Sequence, residues 1–335
     1  MQMRCGRWLG VAAMGCLTVC GVQAQPAAKG ATGTKADQPY PNKPIRLIVQ
    51  FAPGGQGDVI ARTIAIKASE NFRQTVLVDN RTGGGGTIAA DALVKSNPDG
   101  YTFIVASSSY ASNSALYKRA FDPVNDITPV AMIGDSGFIV AVHPSVPVNS
   151  VNDLIAHAKA NPGKLNYGSS GVGGTPHLAT ELFDQMAGTR MSHVPYKGVV
   201  LALNDLIGGQ LQVLFGSMAN ALPQIRAGRV RGVAVSSAKR SAAAPEFPAI
   251  GETVPGYEAV VWYGVAGPKG VPPAIAARWN SEVNRILQLP DVKERMAGDG
   301  MELIGGTSQR FRELLVADIA RWQRVVKMAN IKVSG

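Results

Sequence analysis

Phe51-Ala-Pro-Gly-Gly-Gln-Gly-Asp58 follows the apolar run Ile45-Arg-Leu-Ile-Val-Gln-Phe51 and leads into Val59-Ile-Ala-Arg-Thr-Ile-Ala-Ile-Lys67. The first run reads as a strand and the last as a helix, so the glycines make a strand-to-helix turn. Such a turn gathers unpaired backbone N–H groups at the positive end of a helix dipole, which suits an anion. A second stretch, Gly168-Ser-Ser-Gly-Val-Gly-Gly-Thr-Pro-His177, has four glycines in ten residues and ends at a helix start. The pair predicts two loops that face each other across a cleft and close on a small carboxylate.

Outward from the first loop, strand-like and helix-like runs alternate. Thr75-Val-Leu-Val-Asp79 is a strand, and Ile88 to Lys95 is a helix of small residues. Tyr101-Thr-Phe-Ile-Val-Ala106 is a strand that empties into Ser107-Ser-Ser-Tyr-Ala-Ser112. Small polar residues or glycines at the carboxyl end of each strand predict a parallel α/β sheet with its ligand beyond those ends. The glycine run Gly83–Gly86 reads as a flexible turn, because residues 80–82 separate it from the strand and a dinucleotide fingerprint turns at once.

A second series starts at Phe138-Ile-Val-Ala-Val-His143 and continues through a helix from Val151 with Ser150 as N-cap. Leu178, Leu182 and Met186 recur at a spacing of four, as on one buried helix face. Leu211 to Phe215 and Val230 to Val235 are further strands. Glu258 to Ala266 reads as a return crossing to the first series, and two amphipathic helices finish the chain. One carries Trp279, Val283 and Ile286. The other carries Phe311, Leu315, Ile319, Trp322 and Val326. The expected domains are 41–141 with 260–335, and 142–259.

The amino terminus predicts export. Arg4 and Arg7 precede an apolar segment of about 15 residues, Trp8 to Val22, and Val22-Gln-Ala24 fits cleavage after Ala24. That segment is shorter than a membrane span. Leu17-Thr-Val-Cys20 is a poor lipoprotein site, because Val19 is bulky. Residues 25–40 read as a flexible tail. Cys5, Cys16 and Cys20 all fall in the signal, so the exported chain has no disulfide, thiolate metal site or cysteine nucleophile. Its net charge is two below the +10 of the full chain, hence +8. The basic residues are scattered without interleaved aromatics, which argues against nucleic acid.

The chemistry of an enzyme is missing. Gly168-Ser-Ser170-Gly-Val172 lacks the last glycine of a nucleophile elbow, and no two of His143, His157, His177 and His193 have metal-ligand spacing. No metal or cofactor is expected. Gly54, Gly55, Ser170, Gly171 and Val172 are candidate ligand contacts. Asp58 either contacts ligand or caps its helix. His177, at a helix start, either contacts ligand, caps the helix or packs.

The ordered set Ala52-Pro-Gly-Gly55 with Asp58 and Arg62, Val78-Asp-Asn-Arg81, Pro98-Asp-Gly-Tyr101, Asp122-Pro-Val with Thr128-Pro129, Tyr167-Gly-Ser-Ser-Gly171 with His177-Leu178 and Glu181, His193-Val-Pro-Tyr-Lys-Gly198, Gly209-Gln210, and Trp262 with Gly270-Val-Pro272 resembles the solute-binding receptors of tripartite tricarboxylate transporters, the Bug family. The resemblance runs from about Tyr40 to Ile331. It implies a periplasmic, two-domain type II binding-protein fold of the Venus flytrap kind, with crossing strands and a ligand in the cleft. It implies a monomer that binds a dicarboxylate, tricarboxylate, amino acid or aromatic acid and serves membrane transporter subunits or a sensor kinase. Carried over by motif, the loops Phe51–Asp58 and Ser169–Thr175 hold the carboxylate, with Ser108 and Ser109 as neighbours and Phe215 and Ser217 at a strand end. Many members have an acidic residue after that phenylalanine; here Gly216 and Ser217 follow, which tilts the expectation toward a ligand without an amine.

Overall fold

The computed structural model describes residues 40–117 and 121–328. The signal segment, its cleavage site and Cys20 lie outside them. The chain begins with β1 (Ile45–Val49), α1 (Gln56–Phe72), β2 (Val76–Asn80), α2 (Thr87–Val94), β3 (Thr102–Ser107) and α3 (Ser109–Leu116). Ile45, Leu47, Ile48 and Val49 are all buried. A strand covered on both faces needs such a continuous apolar run, which is why the first segment reads without alternation. β1 pairs parallel with β2 and with β3.

The long strand β4 (Ile127–Val142) comes next, followed by α4 (Val151–Ala160), β5 (Asn166–Ser169), α5 (Thr175–Ala187), β6 (Ser192–Pro195), α6 (Val199–Ile207), β7 (Val213–Ser217), α7 (Met218–Arg226) and β8 (Arg231–Val235). Ser150 caps α4 as expected, accepting from the Asp153 N–H at 3.1 Å. β5 is parallel to both β6 and β7. The return strand β9 (Val260–Pro268), then α8 (Pro273–Leu287), α9 (Pro290–Gly298), β10 (Met301–Leu303) and α10 (Ser308–Met328) complete the described chain.

Two half-sheets meet on β4. The strand order is β2-β1-β3-β9-β4-β7-β5-β6, with β10 and β8 also paired to β4. The exchange of partners is abrupt. Gly137 pairs with Val260 of β9, and the next residue, Phe138, pairs with Ser217 of β7. On the other edge, Ser136 pairs with Met301 of β10 and Ile139 with Val235 of β8. Both edges therefore switch between Ser136 and Ile139. The strand begins at Ile127, well before the Phe138 start read from the sequence.

The closing helix locks the return crossing. Phe311, Leu315, Ile319 and Trp322 of α10 are buried as the stripe predicted, with Val325 rather than Val326 completing it. Trp262 Nε1 donates to Asp318 Oδ2 at 2.7 Å, and the Trp262 and Phe311 rings meet edge to face at 5.4 Å. One expectation fails on α5: Met186 is 37% exposed, while Phe183 is fully buried. Phe183 packs instead against Phe215 at 5.9 Å and Tyr257 at 6.1 Å.

The β9–α10 packing depends on the absence of one side chain. A Cβ on Gly264 would lie 2.5 Å from Cζ of Phe311. Gly264→Ala should lower the urea midpoint with an unchanged slope and cost about 1–3 kcal/mol, the usual range for overpacking. An unaltered midpoint would show that Phe311 moves aside freely.

Candidate functional site

One carboxylate shapes the first loop. Asp58, in the first turn of α1, is buried. Its Oδ2 accepts from the Gly54 N–H and from Arg62 Nε, each at 2.9 Å, and its Oδ1 accepts from Asn80 Nδ2 at 2.9 Å. Asn80 also donates to the Phe51 carbonyl at 3.0 Å, so the end of β2 is tied to the end of β1. Burial alone would raise the Asp58 pKa. Hydrogen bonds from Arg62, Gly54 and Asn80 outweigh it and hold the carboxyl below its usual range. The first helical bonds run from the Asp58 and Val59 N–H groups to the Gly55 carbonyl. The Gln56 and Gly57 amides precede them and are left for other acceptors.

The second loop leaves β5 at Ser169 and enters α5 at Thr175. Helix α3 of the first half lies against it. The Ser108 and Ser109 hydroxyls meet that of Thr175 at 2.7 and 3.1 Å, and the Thr175 N–H donates to Ser109 Oγ at 3.0 Å. Ser112 Oγ donates to the Gly173 carbonyl at 2.6 Å. The glycine run joins this seam rather than forming a flexible turn. Gly84–Gly86 is a short 3₁₀ turn, Asn113 Nδ2 donates to the Gly85 carbonyl, and a Cβ on Gly85 would sit 2.3 Å from the Val172 carbonyl. A third contact joins the two halves from the other side: Asn220 Nδ2 donates to the Gly54 carbonyl at 2.8 Å, and Ser217 Oγ donates to Asn220 Oδ1 at 2.7 Å.

Between the loops is a cavity of about 50 Å³. Phe51, Ala52, Gly55, Gln56, Gly57 and Asp58 line it from the first loop, and Ser170 and Pro176 from the second. Ser107, Ser109, Phe138, Val199, Ser217, Val261 and Tyr263 complete the wall. The starts of α1, α3, α5, α6 and α7 thus converge on one place. Asp58 is the one lining residue that carries charge near neutrality, and its oxygens already have three donors. Ser170 Oγ and Gln56 Oε1 are buried with no hydrogen-bond partner among the described residues. A larger cavity of about 430 Å³ lies elsewhere, walled in part by Asp135, Glu258 and Glu302. Burial, then Glu302 and Glu258, push Asp135 up to about 6. Lys239 and Arg240 also line that larger cavity, and neither glycine loop reaches it, so the smaller cavity between the loops is the candidate site. Among the described residues no cluster of three or more His, Cys, Asp or Glu could hold a metal ion.

Of the residues singled out in the sequence, Phe51, Gly55, Asp58, Ser109, Ser170 and Ser217 line the cavity. Gly54, Ser108, Gly171, Val172 and Thr175 stand in the contacts between the halves. Phe215 is fully buried in the core against Phe183. Ser169 and His177 belong to a cluster behind the loop, where the His177 and His193 rings stack at 4.0 Å and Ser169 Oγ lies 2.6 Å from His193 Nε2. Phe138, Val199, Val261 and Tyr263 were not anticipated. Their period-2 placement on β4 and β9 is the signal that would have found Phe138, Val261 and Tyr263, once the pairing of those strands is known.

The family model of the tripartite tricarboxylate transporter family receptor matches residues 60–331. The chain belongs to this family. It is 35% identical over 311 residues to protein BugT of Bordetella pertussis, covering 92% of this chain and 95% of that protein. Among solved structures, Rpa4515 of R. palustris with adipate is 38% identical, with a TM-score of 0.85 over 88% of this chain and 99% of the other. MatC of Rhodopseudomonas palustris with bound malate is 27% identical, with a TM-score of 0.82 over 86% of this chain and 100% of the other. The expected two-domain α/β binding-protein fold is therefore the fold of this receptor, and the family is one of solute-binding receptors, not enzymes. No helix of the described residues is long and apolar enough to cross a membrane.

The buried histidines of this receptor give its stability a pH dependence of known sign. Burial and the neighbouring His193 push His177 from 6.5 down to about 3. As pH falls below 6.5 the unfolded chain binds a proton that the folded chain refuses, so stability falls with pH until about 3. At ~1.36 kcal/mol per pH unit, the loss between about pH 6.5 and 5 is roughly 2 kcal/mol. Urea melts at both ends of that window should show wild type losing about 2 kcal/mol more than His177→Asn. Equal losses would mean that His177 titrates normally in the folded protein.

Proposed function

We propose that this receptor captures a small dicarboxylate without an amine. The observation that carries the reading is the convergence of two glycine loops and several helix starts on a cavity whose one charged group, Asp58, is already paired. An anion placed there meets neutral donors and helix dipoles. A ligand ammonium would need an acceptor, and Asp58 already serves Gly54, Arg62 and Asn80. Phe51, Phe138, Val199 and Val261 offer apolar surface for a short aliphatic chain. The relatives solved with adipate and with malate support the same class.

The cavity of about 50 Å³ is far below the roughly 300 Å³ of ordinary small-molecule pockets. Ligand entry therefore requires the halves, 41–141 with 260–335 and 142–259, to part about β4 and β9 and then close. In this reading the chain is exported, cleaved after Ala24, and acts in the periplasm as a monomer. Its closed complex delivers the ligand to membrane subunits of a tripartite uptake system or to a sensor kinase.

A thermal-shift panel of adipate, malate, succinate, citrate, aspartate, glutamate and glucose tests the ligand class. A dicarboxylate at a hundredfold excess over its Kd should stabilise the protein by about 2.7 kcal/mol. Stabilisation by aspartate or glutamate but not by adipate, malate or succinate would overturn the amine-free assignment, and a response to glucose alone would overturn the carboxylate class. Asn220→Ala removes a bond between the halves, and with it the acceptor of the Ser217 hydroxyl, while leaving every lining residue in place. Stopped-flow release of the bound dicarboxylate should speed up by roughly 2- to 10-fold, the worth of one neutral hydrogen bond.

A further inference from the structure

The second ligand loop is held from behind by side chains that do not reach the cavity. Gly171 and Gly173 both have left-handed backbones, with φ of +116° and +77°, and neither conformation holds itself. Each has its N–H fixed. The Gly171 N–H donates to Ser169 Oγ at 3.0 Å, and Ser169 Oγ lies 2.6 Å from His193 Nε2. The Gly173 N–H donates to His177 Nδ1 at 3.2 Å. Ser170, whose hydroxyl lines the cavity without a partner, sits between these two anchors.

The two imidazoles are one unit. Their rings stack at 4.0 Å, and Tyr167 of β5 stacks on His193 at 5.0 Å. Tyr167 donates its hydroxyl to Glu181 Oε1 at 2.5 Å. With Nδ1 accepting, the His177 proton is on Nε2, which faces Glu181 Oε1 at 3.9 Å. Ser169 accepts from the Gly171 N–H, and its own proton has two acceptors in reach, His193 Nε2 at 2.6 Å and the Gly171 carbonyl at 3.2 Å, of which His193 is the nearer. His177 must be neutral for its bond, since a proton on Nδ1 would face the Gly173 N–H donor, and His193 must be neutral at Nε2 to accept from Ser169. Burial lowers both, His177 to about 3 and His193 to about 4.

We propose that His177 and His193 are positioning residues of the ligand site: as stacked neutral acceptors they fix Gly173 directly and Gly171 through Ser169, and so aim the Ser170 hydroxyl and the loop amides at the ligand. The inference rests on the carboxylate reading of the cavity only for the ligand it would affect; the effect on the loop stands apart from it.

The test uses amide hydrogen exchange at Gly171 and Gly173 in the purified protein at pH 7, together with the Kd for adipate. His177→Phe keeps a stacking ring but no acceptor, and His177→Asn places Oδ1 where Nδ1 was. His193→Phe and His193→Gln make the matching pair. Each Phe variant should retain a cooperative melt while its glycine amide exchanges at least 10-fold faster and adipate binds at least 10-fold more weakly. The Asn and Gln variants should restore both readouts to within about threefold. Unchanged exchange in the Phe variants, or no rescue by Asn and Gln, overturns the proposal. Should wild type bind no adipate while the exchange pattern appears, the positioning role stands and adipate as ligand is what fails.

Discussion

A single strand has to belong to two sheets at once. β4 must satisfy its backbone groups against β9 and β10 up to Gly137 and against β7 and β8 from Phe138 onward. An unpaired N–H or C=O in this buried strand would cost what a lost hydrogen bond costs, so the two half-sheets are brought into register at one point of the chain. The parallel strands of each half then release the chain toward that junction. Their following helices start there, and the dipoles of α1, α3, α5, α6 and α7 point their positive ends into the same small volume. The site follows from the topology. The loop sequences refine what the crossing strand already imposes.

The chemistry of that volume is unusual in having no cationic side chain on its wall. A buried arginine would bind a carboxylate strongly, but stripping water from it carries a large desolvation penalty whenever the ligand leaves. Backbone amides and hydroxyls carry no net charge, so they hold an anion without an equal penalty in its absence. The Arg62 guanidinium is committed to Asp58 and acts on the first loop through it, by holding the carboxylate that takes the Gly54 N–H. The excess positive charge of the chain, +10 over its full length, then contributes a long-range field, not a contact.

The sequence allowed the βα alternation, the two glycine loops and the closing amphipathic helices to be read, because each is a local pattern of apolar spacing and turn residues. It hid the first half of β4. Ile127-Thr-Pro-Val-Ala-Met-Ile-Gly-Asp-Ser-Gly137 contains Pro129, Gly134 and Gly137, which argue against a strand. The structure admits them by shifting register between Pro129 and Ala131 and again between Met132 and Gly134. It also hid α3, whose buried residues Ser109, Tyr110, Ala111, Ser112 and Asn113 run consecutively without the apolar spacing of a helix face; Ser109 and Ser112 bond to the second loop and Asn113 to the Gly85 carbonyl. A helix that packs on the polar backbone of another loop has no apolar stripe to reveal it. Phe215 misled for the converse reason: a strand-end aromatic looks like a ligand contact until Phe183 is seen to cover it. The role of Gly83–Gly86 was out of reach, since its partner Val172 is distant in the chain and in the other half.

The overlap between cavity wall and contact surface has a consequence for binding. Ser109 lines the cavity and also holds Thr175 across the seam; Ser217 lines it and orients Asn220, which holds Gly54. In the proposed opening and closing of the halves these pairs form only on closure, which makes the contacts between the halves and the ligand contacts parts of one equilibrium. A ligand shifts that equilibrium only by its differential affinity for the closed form, and its apparent affinity is reduced by whatever fraction of the protein is not closed. The hydroxyl and amide contacts of the seam are individually weak, near 1 kcal/mol each for neutral hydrogen bonds. Under the proposed closure, a seam of that kind adds little to hold the halves together, and the interactions of a bound anion weigh correspondingly more. Ion pairs across the seam would hold the halves together without ligand, and each of the described salt bridges joins residues within one half.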